Sequence, residues 1–585
     1  MCQGHEFKGT IMSNLIVRLL VKNWGVETIP HSSNRLCISP SGTNLPDLSQ
    51  INPNRFFPKF YLMSCMASLM LVACSGEGTV IVDDVRESKT FKYEPTIKSL
   101  ETAPIPNWFH DAKFGIMIHW GPYSVIGELE GGLPADYAEH AASNIYRPEL
   151  GDYQTPWKEG FGALPPKFGY KDTLPLFTGE KFDAERWVDM FEGAGAKYVV
   201  PVAEHHDGFA MWDSDLTTWD AKERGPKIDI IGELAVQVKK RGLKFAPSIH
   251  RERHTTYYAE KKNVGGSPLP TIVQEIKAMP EAASLYGPFE LNDAFMEDFL
   301  ARWEEIEDKY QPDFFWLDNF PGTYSDRDKK FFAKHIRVLI ANYLNKAGNE
   351  WGKEVYFNNK GGYLIHPPHV GVREKDNLEL DDLSVKWQNP ATLGVSFGYQ
   401  SMEETDPRWT KPTRELIHLL IETVSHNGNL LLNVGPRSDG TIAPLHVSRL
   451  AEIGSWLKAN GEAVYGTRVW TTAGEGRVRF TTKGDVLYAH LLDWPEENHL
   501  TIESVSSWND EDIAGVYTMA GEALDWSLTS AGLKVKLPAT PITDHTTVLK
   551  IQATSPLREL RSISVALDKE DLHKIHIERV RSITQ

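Results

Sequence analysis

Short apolar runs alternate with amphipathic helices through the middle of this chain, and that alternation restricts the fold more than any other feature. Phe114-Gly115-Ile116-Met117-Ile118, Tyr198-Val199-Val200-Pro201-Val202, Leu243-Lys244-Phe245-Ala246-Pro247-Ser248-Ile249 and Phe314-Phe315-Trp316-Leu317 read as strands. So do Val355-Tyr356-Phe357, Val385-Lys386-Trp387 and Leu430-Leu431-Leu432-Asn433-Val434. Between them, Trp187, Val188 and Phe191 mark a helix that Asp183 can cap. Ile231, Leu234, Ala235 and Val238 fall at i, i+3, i+4 and i+7 of another. Met296, Phe299, Leu300 and Trp303 mark a third, and a fourth runs from Thr413 to Val424. Strands separated by helices must run parallel, because only a crossover brings the chain back to the same sheet in the same direction. An α/β fold, a (β/α)8-like TIM barrel over residues 105–465, is therefore expected.

Polar residues cluster just after the strands: His119-Trp120, Glu204-His205-His206-Asp207, His250-Arg251-Glu252, Asp318-Asn319, Asn358-Asn359-Lys360 and Gln388-Asn389. A barrel gathers all strand C-termini on one face, so these residues would meet there. A doubly wound open sheet competes, but no glycine-rich phosphate fingerprint follows any strand. Asp313 opens the run that Asp318 closes, so it belongs at the opposite, stabilising end. From 466 the pattern changes to short runs separated by turns, among them Val478-Arg479-Phe480, Val486 to Leu491 and Thr547 to Ile551. These predict a C-terminal antiparallel β-sandwich at 466–555, followed by a charged tail at 556–585.

Net charge is −17, which argues against a nucleic-acid partner. All four cysteines, Cys2, Cys37, Cys65 and Cys74, lie within the first 74 residues, so the folded part has no disulfide, zinc–thiolate site or cysteine nucleophile. Around them, Arg55 to Lys59 gives a basic flank, Tyr61 to Ala73 a short apolar run, and Leu71-Val72-Ala73-Cys74 resembles a bacterial lipoprotein box. Residues 1–76 are read as an extension carrying a lipoprotein-type signal segment, and 77–104 as a linker. The run lies far from Met1, so translation is expected to start nearer Arg55. Cys74 would carry the only membrane attachment, in the bacterial periplasm or outer membrane. The sequence carries no signal of oligomeric state.

The ordered set Phe114–Gly121 (FGIMIHWG), Glu204–Phe209 (EHHDGF) with Trp212-Asp213-Ser214, Phe315–Asp318 (FWLD) and Asn427–Pro436 (NGNLLLNVGP) with Asp439-Gly440-Thr441-Ile442 resembles the α-L-fucosidases of glycoside hydrolase family 29. The resemblance spans roughly residues 105–465. It implies a barrel followed by a β-sandwich. It also implies exo-acting, retaining hydrolysis of terminal α-L-fucosides on glycans or fucan fragments, with no cofactor. Retention requires two carboxyl groups about 5–5.5 Å apart. The resemblance puts the nucleophile at Asp318. It places the acid/base on a loop before Trp387, where Glu374, Glu379, Asp381 and Asp382 are candidates; spacing favours Glu374, with Glu379 second. Arg373 and Lys375 beside Glu374 would lower its pKa, against the needs of a general acid unless burial outweighs them. His119, Trp120, Glu139, His205, His206, Trp316 and Lys360 resemble sugar-binding positions.

No metal is expected. Adjacent residues of a strand face opposite sides, so His205 and His206 seldom share one ion. Departures from the family pattern cluster at the pocket: His140 replaces Trp, His250 to His254 replaces an aromatic segment, Lys360 replaces Arg, and Gln388 replaces Glu. The cations His250, Arg251, Arg253, His254 and Lys360 suggest a sulfate on the substrate. Two other readings stand beside the fucosidase: a glycosidase for a related sugar such as L-galactose, and a carbohydrate-binding surface lipoprotein without catalysis.

Overall fold

The computed structural model describes residues 92–130, 133, 138–150, 152–260, 266–318, 324–360, 370–372 and 383–557, with three short strands near the N-terminus. The chain divides into two units, Met1–Thr90 and Phe91–Gln585. In the first, Thr28–Pro30, Arg35–Ile38 and Ile81–Asp83 pair antiparallel. The signal-like segment and Cys74 lie outside the described residues, as does the tail from 558.

In the second unit nine parallel strands form one sheet that closes on itself. They are β1 (Phe114–Ile118), β2 (Tyr198–Glu204), β3 (Lys244–Phe245), β4 (Ser248–Ile249), β5 (Phe314–Leu317), β6 (Tyr356–Lys360), β7 (Val370–Val372), β8 (Trp387–Thr392) and β9 (Gly428–Val434). β3 and β4 both pair with β2 on the same side, so the nine strands fill eight positions. Pro247, which lacks an N–H for the ladder, separates the two. The barrel expected from the sequence is present.

The main helices begin where capping residues stand. Helix α1 (Ala184–Gly193) is capped by Asp183, α2 (Ile230–Lys240) by Asp229 and α3 (Asp293–Tyr310) by Asn292. In α4 (Asp326–Lys346) Ser325 and Asp328 form a capping box. Helices α5 (Thr413–Ser425) and α6 (Pro444–Asn460) flank β9 in sequence. The region read as a linker is partly built into the fold. Asn345 of α4 accepts from the backbone N–H groups of Lys92 and Tyr93 at 3.0 and 2.9 Å and donates to the Tyr93 carbonyl at 2.8 Å. Tyr93 and Leu100 are buried, which explains the order of this stretch.

The barrel interior is layered. Phe109, Tyr198, Phe314 and Tyr356 fill the N-terminal end as a cluster of rings. There Asp313 accepts from the Phe245 N–H at 3.0 Å and pairs with Lys244 at 3.2 Å, the stabilising position expected for it. Above lies a polar layer in which Gln388 accepts from Trp316 Nε1 at 3.0 Å and from Asn358 Nδ2 at 2.5 Å. Charged and imidazole groups occupy the top.

Two antiparallel sheets follow. Gly474–Glu475, Val478–Lys483, Val486–Leu491, Thr547–Ala553 and Ile513–Thr518 form one; His499–Ile502, Gly532–Lys536 and Trp526–Thr529 form the other. Leu487 and Ala489 face a core shared with Leu533 and Val535 of the second sheet. The alternate residues Val486 and Tyr488 join the barrel's apolar cluster instead.

Candidate active site

Six side chains meet at the C-terminal ends of the barrel strands. Asp318 follows β5, Lys360 ends β6, His205 and His206 follow β2, His250 follows β4, and His119 follows β1. Lys360 Nζ lies 2.8 Å from Asp318 Oδ1, while His206 Nε2 and His250 Nδ1 lie 3.4 and 3.8 Å from Oδ2. Asp318 is 5% exposed. Burial, the largest single effect, favours its neutral form, but the Lys360 ammonium together with His250 and His206 overcomes it and holds the carboxyl well below its ordinary range. Asp318 is therefore an anion at neutral pH, the state a nucleophile needs.

The histidines are oriented by acceptors behind them. Asn433 Nδ2 donates to the Phe397 carbonyl at 2.6 Å, so its Oδ1 faces His119 Nδ1, also at 2.6 Å. His206 Nδ1 faces the carbonyl of His250 at 2.6 Å. Each ring then carries its proton on Nδ1 and presents a bare Nε2. Burial pushes the pKa of His119 down to about 4, and lowers those of His205, His206 and His250 too. Neutral imidazoles that can accept from hydroxyls thus surround an anionic carboxylate.

The remaining expected residues divide. Trp316 lies beneath the site, stacked on His250 with ring centroids 5.4 Å apart. Glu139 is near, since His140 stacks on His206 at 5.6 Å. Its Oε2, however, accepts from Gly398 N and Ser396 Oγ at 2.9 and 3.1 Å, which ties it to the loop after β8. Trp120 requires a correction. Its indole donates to the Arg437 carbonyl at 2.7 Å and packs among Phe177, Phe182 and Trp187, so it is a packing residue and not a wall of the pocket. Glu374, Glu379, Asp381 and Asp382 lie outside the described residues.

Four of the cations expected to meet a sulfate, His250, Arg251, His254 and Lys360, have protein partners. Arg251 bridges Glu204 and Asp298, each at 2.5 Å. His254 lies between the carbonyls of His206 and Gly287. His250 Nε2 bonds Ser248 Oγ at 2.6 Å, and Lys360 pairs with Asp318.

One residue escaped the sequence reading as a site candidate. Glu252 is fully buried, and neither carboxylate oxygen has a hydrogen-bond partner. Burial, reinforced by the nearby Asp318 charge, pushes its pKa well above the ordinary range, so it carries a proton. An acid within a run of four basic residues was the available signal, and those residues obscured it.

A family model described as Alpha-L-fucosidase matches residues 80–462, and one described as Alpha-L-fucosidase C-terminal domain matches 472–552. The chain belongs to the α-L-fucosidase family. It is 33% identical to the tissue alpha-L-fucosidase of Bos taurus over 461 residues, 77% of this chain and 88% of the relative. Against the human tissue enzyme it is 33% identical over 468 residues, 77% and 89% of the two chains. The crystal structure of Thermotoga maritima alpha-fucosidase superposes with a TM-score of 0.62 at 30% identity, covering 78% of this chain and all of that one. The same enzyme in complex with fucose gives 0.62 at 28%, with 78% and 100% covered. The chain is thus a glycoside hydrolase of the α-L-fucosidase type, with the family's barrel and C-terminal domain.

Proposed function

We propose that this fucosidase is exo-acting and retaining, with Asp318 as the nucleophile. The observation that carries the reading is the anionic Asp318 carboxylate at the end of β5, paired with Lys360 and ringed by neutral histidines. Asp318 attacks the anomeric carbon and forms a fucosyl-enzyme ester as the leaving oxygen takes a proton from the acid/base. Water, deprotonated by the same acid/base, then releases fucose. His119, His205 and His206 accept hydrogen bonds from sugar hydroxyls, with Trp316 supporting His250 below. Following an aryl α-L-fucoside by proton NMR tests this: the first-formed sugar is the α-anomer. Initial β-L-fucose would refute retention, and turnover of the L-galactoside alone would favour that sugar.

The proton donor is assigned by resemblance to Glu374. Glu252 supplies a second reading, because it is a neutral carboxyl held within the field of Asp318. Glu374→Gln and Glu252→Gln separate the two. Loss of the donor spares fucosides with acidic leaving groups and slows those with basic ones by about 10²–10⁴.

The substrate is a fucosylated oligosaccharide or fucan fragment. With Arg251, His254 and Lys360 committed to protein partners, equal turnover of sulfated and desulfated fucan oligosaccharides is expected. For localisation, the basic–apolar–Cys74 segment supports a lipid anchor in the periplasm or outer membrane of a bacterium. Labelling with radioactive palmitate tests it, with Cys74→Ser losing the label.

A further inference from the structure

The pocket contains an arrangement that sugar binding alone does not require. His206 Nε2 and Asp318 Oδ2 face each other at 3.4 Å, and while the ring is neutral both are acceptors, because His206 gives its Nδ1 proton to the carbonyl of His250. His250 Nδ1 lies 3.8 Å from the same Oδ2, and the three ligand atoms fall within 4.8 Å of one another. All three residues are buried. Beside them His205 keeps a buried Nδ1 with no hydrogen-bond partner.

We propose that the empty sugar pocket binds a zinc-class divalent ion through His206 Nε2, His250 Nδ1 and Asp318 Oδ2, and that this ion blocks the nucleophile. The spacing fits. Ligands at about 2.0–2.1 Å from a tetrahedral ion stand about 3.4 Å apart; His206 and Asp318 already have that separation, and His250, at 3.8 Å from the same oxygen, has to close in by a few tenths of an ångström. The surroundings fit as well. His206 donates its other nitrogen to a backbone carbonyl, and Ser248 Oγ lies 2.6 Å from His250 Nε2, where it can accept that proton. This is the outer support that orients metal-binding imidazoles. Two nitrogens and one carboxylate oxygen select zinc or copper over magnesium or calcium. Lys360 holds Oδ1 and leaves Oδ2 open; its charge opposes a cation, so the nitrogen ligands must supply much of the affinity. His205 and His206 serve different ligand groups, as residues on opposite faces of a strand should: His205 clusters with His119 and His250. A bound ion would occupy the position of the fucose ring, so ion and sugar exclude each other.

Calorimetric titration of the intact chain with zinc chloride, its cysteines alkylated, tests the site without turnover, and only its L-fucose arm rests on the proposed function. One zinc should bind whose affinity falls by more than about tenfold in His250→Leu and which saturating L-fucose displaces. Equal zinc binding by His250→Leu and the parent overturns the proposal, as does zinc binding indifferent to fucose. Should His250→Leu fail to fold, cobalt(II) on the parent decides. Intense visible bands that L-fucose abolishes support the site, and their absence sinks it.

Discussion

At Asp318 two large effects oppose each other. Burial would keep the carboxyl neutral, and Lys360 at 2.8 Å keeps it charged. Lys360→Met removes the largest of the effects that oppose burial, so the carboxyl's pKa rises and the acid limb of the kcat/KM profile moves to higher pH. An unmoved limb would show that Lys360 does not set this charge. The placement of Asp318, His205 and His206 at one end of the barrel was legible because each follows a recognisable strand within a specific motif. Trp120 was misread because sequence gives its position after β1 but not its direction. The rings that capture it, Phe177, Phe182 and Trp187, come from far along the chain. Glu252 was missed for the opposite reason. Its character depends on burial and on a charge 66 positions away, neither of which composition reveals.

The strand β5 shows how one element divides its work. Asp313, just before it, ties β3 in place through the Phe245 N–H and Lys244, and Asp318, just after it, is the proposed nucleophile. Asp313→Ala should cost about 1–3 kcal/mol of stability in denaturant unfolding while leaving kcat as it was. A fall in kcat without loss of stability would contradict this division. The elements that sequence captured are those with strong local signals, namely capped helices with an apolar stripe. β7 was not captured, since Val370-Gly371-Val372 is too short to show a period, and it is specified by pairing with β6 and β8. Order at 92–100 likewise depends on a distant asparagine, Asn345.

Across the whole molecule, burial makes stability depend on pH. Asp207 sits at the turn after β2, where its carboxylate accepts from the Tyr170 hydroxyl and from Phe209 N. Burial pushes its pKa up from 3.8 to about 7. The folded chain therefore holds a proton that the unfolded chain has released, and this group's contribution falls as pH rises from about 4 to about 7. Asp207→Asn should remove that slope, read as the difference in unfolding free energy between variant and parent across the window. A parallel pair of curves would refute the assignment. The C-terminal sheets are continuous with the barrel's apolar cluster through Val486, Tyr488 and Val548, and Trp456 of α6 donates to the Thr546 carbonyl at 2.8 Å. That contact was beyond the sequence, where the change from helical to alternating periodicity marked only the boundary.

The claim on which the rest depends is that Asp318 attacks the sugar. Asp318→Gly removes the nucleophile and leaves a space at the end of β5 that a small anion can enter. With an aryl α-L-fucoside, this variant should fold as the parent does and lose at least about 10³-fold in kcat. Added azide should restore aryl release and yield β-L-fucosyl azide, the product of attack from the face that Asp318 occupied. Turnover by Asp318→Gly at the parental rate without azide would contradict the account.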